Sequence, residues 1–267
     1  MTASLFDRRA VLFLPASKER AIAKARGSDA DMVILDLEDA VKPEDKEAAR
    51  SAAVASVAGD WPMPVAIRIN GVGTEWHGGD LAAVLGLAGL PIVVPSIRSV
   101  ADLHGVASVI SRRPLAMIET ASAVLDVREI ARQSAALIVG TNDLAADLHQ
   151  PAGAGRSAMA YALQSVLLAA RAERVPVFDG VFNKIDDAEG FAREAAESRA
   201  LGFDGKTLIH PSQIAPCHAA FAPSTEEIDR ARRLVEAASG GAERFEGEMV
   251  ETMHVDAARR LLDRIER

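Results

Sequence analysis

A single cysteine, Cys217, stands among 267 residues, so the chain can build neither an intrachain disulfide nor a thiolate zinc site. That usage agrees with a reducing cytoplasm. Aromatic residues make up only 4%, so a large core has to be aliphatic. Cations are outnumbered: 30 Lys and Arg against 38 Asp and Glu give a formal net charge of -8 and a pI of about 5.3. Neutralising phosphates takes clustered Lys and Arg, so no nucleic-acid partner is expected. No apolar run approaches the roughly 20 residues that cross a bilayer. The segment 1–9 lacks the apolar core of a signal sequence. A cytoplasmic location with no membrane partner is the expectation.

What is present is aliphatic and alternating. Hydrophobic residues are 49% of the chain, enough for a sizeable core of Ala, Val, Leu and Ile, the residues that fill buried parallel strands. Eight short β-rich runs alternate with longer, alanine-rich stretches of helical spacing: Ala10–Pro15, Met32–Leu37, Val65–Asn70, Ile92–Ser96, Leu115–Glu119, Ala136–Gly140, Val175–Asp179 and Gly205–Ile209. Strand–helix alternation implies parallel strands with right-handed crossovers. Eight units in about 250 residues favour an α/β fold of the TIM (β/α)8 barrel type over an open, doubly wound sheet. The barrel is expected over residues 1–222. A C-terminal helical extension over 223–267 carries a helix-like stretch at Thr225–Ala238, a break at Gly240–Gly241 and a last helical pattern at Val255–Ile265.

In such barrels the reactive groups lie at the C-terminal ends of the strands. Strand two ends Asp36-Leu37-Glu38-Asp39, three carboxylates in four residues that repel one another unless a cation answers them. Strand three carries a candidate cation, Arg68. Strand five ends at Glu119 and strand six at Gly140-Thr141-Asn142-Asp143. Strand seven ends at Asp179-Gly180, and strand eight carries Lys206 and runs into His210-Pro211. Hard divalent cations take oxygen ligands, and magnesium is often held by one or two carboxylates plus waters and substrate oxygens. Glu119 and Asp143, on neighbouring strand ends, suit that role. Asp179 reads as a turn acid, His210 as a structural hydrogen-bonding residue, and Cys217 as a small buried hydrophobe.

At these residues the sequence resembles the citrate lyase β-subunit-like family, within the wider HpcH/HpaI aldolase group, which includes malyl-CoA and citramalyl-CoA lyases. The resemblance runs from about Arg9 to the tail. It rests on Arg9–Pro15, on Val33–Val41 with Lys46 and Arg50 downstream, on Ile67–Asn70, Met117–Thr120 and Gly140–Leu144, and on Gly202–Lys206 with Ile209-His210-Pro211. It implies a TIM barrel, assembled as a homotrimer or a dimer of trimers (a hexamer), with Mg2+ on Glu119 and Asp143. It places Arg68 on the substrate oxygens, Asp36 and Glu38 around Arg68 and the metal waters, and Gly140, Thr141 and Asn142 along the substrate. CoA would enter near the first βα loop, with Lys18 and Arg20. A family lid reading Gly-Lys-Met-Val-Asp corresponds here to Gly247-Glu248-Met249-Val250-Glu251, so Glu251 stands where an aspartate is usual. Other departures are Pro15-Ala16 for Pro-Gly and Pro95-Ser96 for Pro-Lys.

The implied activity is a magnesium-dependent carbon–carbon lyase. It would cleave, or form by condensation, a 3-hydroxy-3-carboxyacyl-CoA such as malyl-CoA or citramalyl-CoA, with an acetyl-CoA-type thioester and a 2-keto acid on the other side. Arg68 would stabilise oxyanion charge and Glu251 would serve as acid or base. The alternatives are a CoA-independent aldolase acting on a free 2-keto acid, and a carrier-protein-dependent or non-catalytic lyase subunit.

Overall fold

A computed structural model of the chain describes residues 5–265; residues 1–4, within the segment read for a signal sequence, lie outside the described residues. Two compact units divide the chain, residues 1–221 and 222–267.

The first unit is a closed barrel of eight parallel strands in sequential order. The strands are β1 (Ala10–Pro15), β2 (Met32–Asp36), β3 (Val65–Arg68), β4 (Ile92–Val94), β5 (Leu115–Ile118), β6 (Ala136–Val139), β7 (Val177–Asp179) and β8 (Gly205–Leu208). Pairing of Ala10 with Lys206 and Val11 with Thr207 closes β8 onto β1. Helices α1 (Glu19–Ala25), α2 (Lys46–Val57), α3 (His77–Leu85), α4 (Val100–Ile110), α5 (Ala121–Leu125), α6 (Val127–Gln133), α7 (Thr141–Asp147), α8 (Ala160–Glu173), α9 (Ala188–Leu201) and α10 (Ile214–Phe221) fill the connections.

Alternation along each strand splits the aliphatic core into two layers. Val11, Met32, Ile34, Ala66, Val93, Leu115, Met117, Ile138 and Phe178 fill the barrel interior. Their neighbours, among them Leu12, Leu35, Ile67, Ile118 and Val139, face the helices. Among the described residues, no helix is long and apolar enough to cross a membrane.

All eight expected strands are present, and most end a residue or two early. Proline explains two of the differences, since it has no N–H for the ladder. Strand β4 stops at Val94 before Pro95. Strand β7 begins after Pro176, because the Val175 N–H is spent on the Ala170 carbonyl at the end of α8.

The second unit contains α11 (Thr225–Ala237), a hairpin of β9 (Glu243–Phe245) and β10 (Glu248–Val250), and α12 (Thr252–Ile265). Ser224 caps α11 through a reciprocal capping box with Glu227. The hairpin turns at Glu246 and Gly247, with φ of 49° and 90°, the two positive values that a tight type I′ turn requires. Ala231, Leu234, Val250, Val255 and Ala258 form this unit's own small core. The hairpin is not among the elements that the sequence pattern predicts.

Candidate active site

Because Ala66 faces the barrel interior, Arg68 two residues on points the same way, at the mouth. Asp36, two residues beyond inward-facing Ile34, meets it there. Arg68 Nε and Nη2 each donate to one oxygen of Asp36 at 2.6 Å, a bidentate fork. Nη1 lies 2.7 Å from Glu38 Oε2 and 3.4 Å from Asp39. The Phe13 ring sits 5.0 Å from the guanidinium carbon, within cation–π range. Asp36 also accepts the backbone N–H groups of Glu38 and Ala40, at 2.9 and 3.1 Å, which winds the loop after β2 back over its own strand. Burial disfavours the Arg68 cation, but Asp36, Glu38 and Asp39 outweigh it and hold its pKa above the ordinary arginine range. Burial pushes the Glu38 carboxyl up to about 8, against the pull of Arg68.

Across the mouth, Met117 faces inward and so does Glu119, which is only 2% exposed. One of its oxygens accepts the Ser96 backbone N–H. Ser96 takes a left-handed φ of 53°, a conformation costly for a serine and held by its surroundings. The other oxygen, Oε2, is buried without a hydrogen-bond partner. Leaving such a group unmet costs roughly 1–3 kcal/mol, more when charged. Gly140 makes room for it: a Cβ at position 140 would collide with the Glu119 side chain. Burial pushes the Glu119 carboxyl up to about 7, and the nearby charge of Asp143 adds to the rise. Asp143, in the first turn of α7, is raised as well, chiefly by burial.

A second polar cluster braces this rim from outside. Lys46 Nζ donates to the carbonyls of Leu37 and Glu38 at 2.8 and 2.7 Å and to Asn70 at 2.6 Å. Asn70 in turn binds Asp80 through its backbone and side-chain N–H groups, at 2.8 and 2.6 Å, and Arg50 pairs with Asp80 at 2.7 Å. Lys46 and Arg50 therefore fix the loop that presents Glu38.

The mouth holds a cavity of about 310 Å³. Asp36, Arg68, Gly140, Thr141, Asn142 and Asp143 line it, with Glu119 packed directly behind Gly140. Lys18 and Arg20 lie exposed at the start of α1 and do not line the cavity. Glu251 lies between β10 and α12 in the second unit, its N–H donating to His254 Nδ1 at 2.9 Å. His210 caps a short turn: its ring accepts the Ser212 N–H at 3.2 Å. Burial pushes the Cys217 thiol up to about 12, so it is an inert thiol. Asp179 is not the turn acid that the sequence suggests: it is the last residue of β7 and is fully buried. Phe178 fills the interior, so Asp179 faces outward, where it pairs with Lys206 at 2.7 Å and Arg156 at 3.2 Å.

The donor set of Glu119 and Asp143 fits a hard divalent cation: two carboxylates, both raised by burial and one with an oxygen that nothing answers. Among the described residues, no group of three or more His, Cys, Asp or Glu side chains is placed to hold a metal. Two protein ligands leave the remaining positions to water and substrate, which is how magnesium is often held.

The model of the HpcH/HpaI aldolase/citrate lyase family matches residues 9–211, the whole barrel from β1 to the turn after β8. The chain belongs to this family. Among HpcH/HpaI relatives, it is 42% identical to a protein of Cereibacter sphaeroides named (3S)-malyl-CoA thioesterase, over 97% of this chain and 94% of the relative. It is 35% identical to a citrate lyase subunit beta-like protein of Deinococcus radiodurans, over 95% and 96%. Its fold superposes with a TM-score of 0.89 and 35% identity on CitE from Mycobacterium tuberculosis in complex with magnesium, acetoacetate and coenzyme A, covering all of both chains. As an HpcH/HpaI member the chain is an enzyme of the lyase family.

Three residues that line or support the cavity of this HpcH/HpaI chain are not singled out by the sequence pattern. Thr207 faces the interior because its β1 partner Val11 does, and strand alternation is enough to find it. Ser96 acts through its backbone N–H, which no side-chain pattern reveals. Asn183, on the loop after β7, exchanges hydrogen bonds with Asn142 in the first turn of α7 at 2.6 and 3.2 Å, a loop-to-helix contact with no periodic signal.

Proposed function

We propose that the protein is a magnesium-dependent carbon–carbon lyase. Its substrate is a 3-hydroxy-3-carboxyacyl-CoA such as malyl-CoA or citramalyl-CoA, cleaved to or formed from an acetyl-CoA-type thioester and a 2-keto acid. The observation that carries this reading is the buried, unanswered Glu119 oxygen, close enough to Asp143 and Arg68 to feel both charges, at a small cavity that Asp143 and Arg68 line. Magnesium, acetoacetate and coenzyme A are bound together in the M. tuberculosis relative, which supports a divalent cation, a small oxo acid and a CoA derivative as ligands here.

Glu119 and Asp143 would hold the magnesium, which as a Lewis acid lowers the pKa of the substrate hydroxyl and stabilises alkoxide charge. Arg68, only 7% exposed, supplies a fixed cation for developing oxyanion charge. Asp36 and Glu38 keep that cation aimed, so no reorganisation is needed as charge develops. Gly140, Thr141 and Asn142 form the wall along which the keto acid lies. The substrate hydroxyl gives its proton to a water at the barrel mouth, the bond between the hydroxyl-bearing carbon and the thioester α-carbon breaks, the hydroxyl carbon becomes the keto carbon and the electron pair of the broken bond passes to the thioester enolate. The enolate takes a proton at its α-carbon, and Glu251 is the acid proposed for it. A neighbouring copy of the chain, in a homotrimer or dimer of trimers, would bring that carboxyl. Lys18 and Arg20 are proposed to meet the CoA phosphates.

A second reading is thioester hydrolysis, favoured by the name of the C. sphaeroides relative. One experiment separates the two. With magnesium and malyl-CoA, the lyase releases glyoxylate and acetyl-CoA, and acetyl-CoA with glyoxylate regenerates malyl-CoA. Hydrolysis instead releases malate and free CoA thiol. Thiol release with no acetyl-CoA would overturn the lyase reading.

A further inference from the structure

Beside the 310 Å³ cavity at the barrel mouth lies a second, larger one of about 650 Å³, between the loop at 150–156 and the loop after β7. The two share one stretch of wall: Thr141, Asn142, Val181 and Asn183 line both. Within that wall the Asn142 and Asn183 side chains face each other. Asn183 Nδ2 donates to Asn142 Oδ1 at 2.6 Å, and Asn142 Nδ2 donates back to Asn183 Oδ1 at 3.2 Å. Beyond the pair the outer cavity is walled mostly by small or apolar groups, including Ala145, Ala146, Ala152, Ala154 and Met159. Gln150, Arg156, Lys184 and Glu194 line it as well, so only the small and apolar stretch of its wall suits an aliphatic chain.

We infer that Asn183, clasped to Asn142, sets the size limit on the side chain of the 2-keto acid that this site accepts. The inference rests on the function proposed above. Asn142 immediately precedes Asp143, so a keto acid held at Glu119 and Asp143 brings its substituent against the clasp when that substituent extends toward β6 and β7. On this inference a hydrogen or methyl substituent stops short of it. A longer chain has to push the clasped amides apart, and its methylene groups then displace the water that would otherwise hydrate the freed amide atoms.

The loop carrying Asn183 does not depend on this side chain for its place. Lys206 Nζ donates to the Gly180 carbonyl at 2.5 Å, and Gln213 Nε2 donates to the Phe182 carbonyl at 2.9 Å. Both donors are buried behind the loop, and both amides of the clasp are exposed. Removing the Asn183 amide therefore opens the wall without leaving a buried orphan.

The test compares wild type, Asn183→Ala and Asn183→Leu on glyoxylate, pyruvate, 2-oxobutanoate and 2-oxopentanoate, each condensed with acetyl-CoA in the presence of magnesium. Pocket discrimination of one methylene spans roughly 10–200-fold. Asn183→Ala is expected to raise kcat/KM for 2-oxobutanoate and 2-oxopentanoate relative to glyoxylate by about 10-fold or more. Asn183→Leu, which keeps the bulk and loses the hydrogen bonds, is expected to leave the ratio at or below that of wild type. An unchanged ratio in Asn183→Ala overturns the inference. A uniform loss on all four acids in both variants also overturns it, since that is the signature of a loop tether. Calorimetric binding of the same four acids, with magnesium present, is measured in parallel. Absence of turnover with size-selective binding that relaxes in Asn183→Ala would sink the lyase reading and leave the size limit standing. A protein that binds none of the four overturns both.

Discussion

Replacing Glu119 by glutamine separates the cost of burying a charge from the use made of that charge. Burial raises this carboxyl from 4.5 to about 7. Between those two pH values the folded protein keeps a proton that the unfolded chain has released. A raised carboxyl pKa therefore lowers stability as pH climbs through the window, with the full cost present above about pH 7. The rise corresponds to about 3 kcal/mol, and at 2% exposure solvent screens little of it. Glutamine keeps an oxygen for the Ser96 N–H and brings an amide donor into the place of Oε2. That donor costs roughly 1–3 kcal/mol if nothing receives it, but the cost does not vary with pH. The quantity to read is thus the change in the stability difference, not its value at one pH. Urea unfolding of the metal-free proteins, followed by circular dichroism at pH 5 and pH 8, is expected to move the difference toward the variant by about 2.5 kcal/mol, since a small part of the cost is already present at pH 5. Magnesium at 100 times its dissociation constant is expected to stabilise wild type at pH 8 by about 2.7 kcal/mol and the variant not at all. A stability difference that is flat between the two pH values, or equal magnesium stabilisation of both proteins, would refute the reasoning.

Four further outcomes are expected. Arg68→Ala removes the cation between Asp36 and Glu38; turnover should fall about 100- to 1,000-fold, and urea unfolding should show a loss of about 3–5 kcal/mol from the orphaned carboxylate. Gly140→Ala puts a methyl group into the space of the Glu119 side chain; calorimetry should show magnesium affinity at least about 10-fold weaker, comparable to losing a group that orients a metal ligand, with the circular dichroism spectrum unchanged. Lys206→Met leaves Asp179 buried without its closest cation, and its unfolding free energy should drop by about 3–5 kcal/mol. Glu251→Gln should slow turnover while leaving keto acid affinity, read by calorimetry, within about two-fold of wild type; unchanged turnover would remove Glu251 as the acid.

The barrel is legible in the sequence because its signal is repeated. Each of the eight strands is a short aliphatic run between helical stretches, and the same alternation that marks Ala66 as interior carries Arg68 to the mouth. The hairpin of β9 and β10 is not legible because its strands are three residues each and largely exposed, so burial imposes no alternation. Its one usable signal is Glu246-Gly247, a dipeptide placed for a tight turn. Around the site, Asp36, Glu38, Arg68, Glu119 and Asp143 can be named from strand ends. Strand ends alone do not give the direction of Asp179, because they leave open which face each residue takes. Phe178 decides that: so large an apolar side chain fills the barrel, and its neighbour must turn outward to Lys206. The contribution of Ser96 lies in its backbone, and Asn183 matters through Asn142, 41 residues away. Contacts of that kind exist only once the loops are placed.

The claim on which the account depends is that Glu119 and Asp143 share one dication beside Arg68. A crystal structure of the protein with magnesium and glyoxylate or pyruvate tests it most directly. The account predicts a single ion with oxygens of both carboxylates at about 2.0–2.1 Å, completed by water and the keto acid. An ion seated elsewhere, or a keto acid bound at the barrel mouth with neither carboxylate touching a metal, would contradict it.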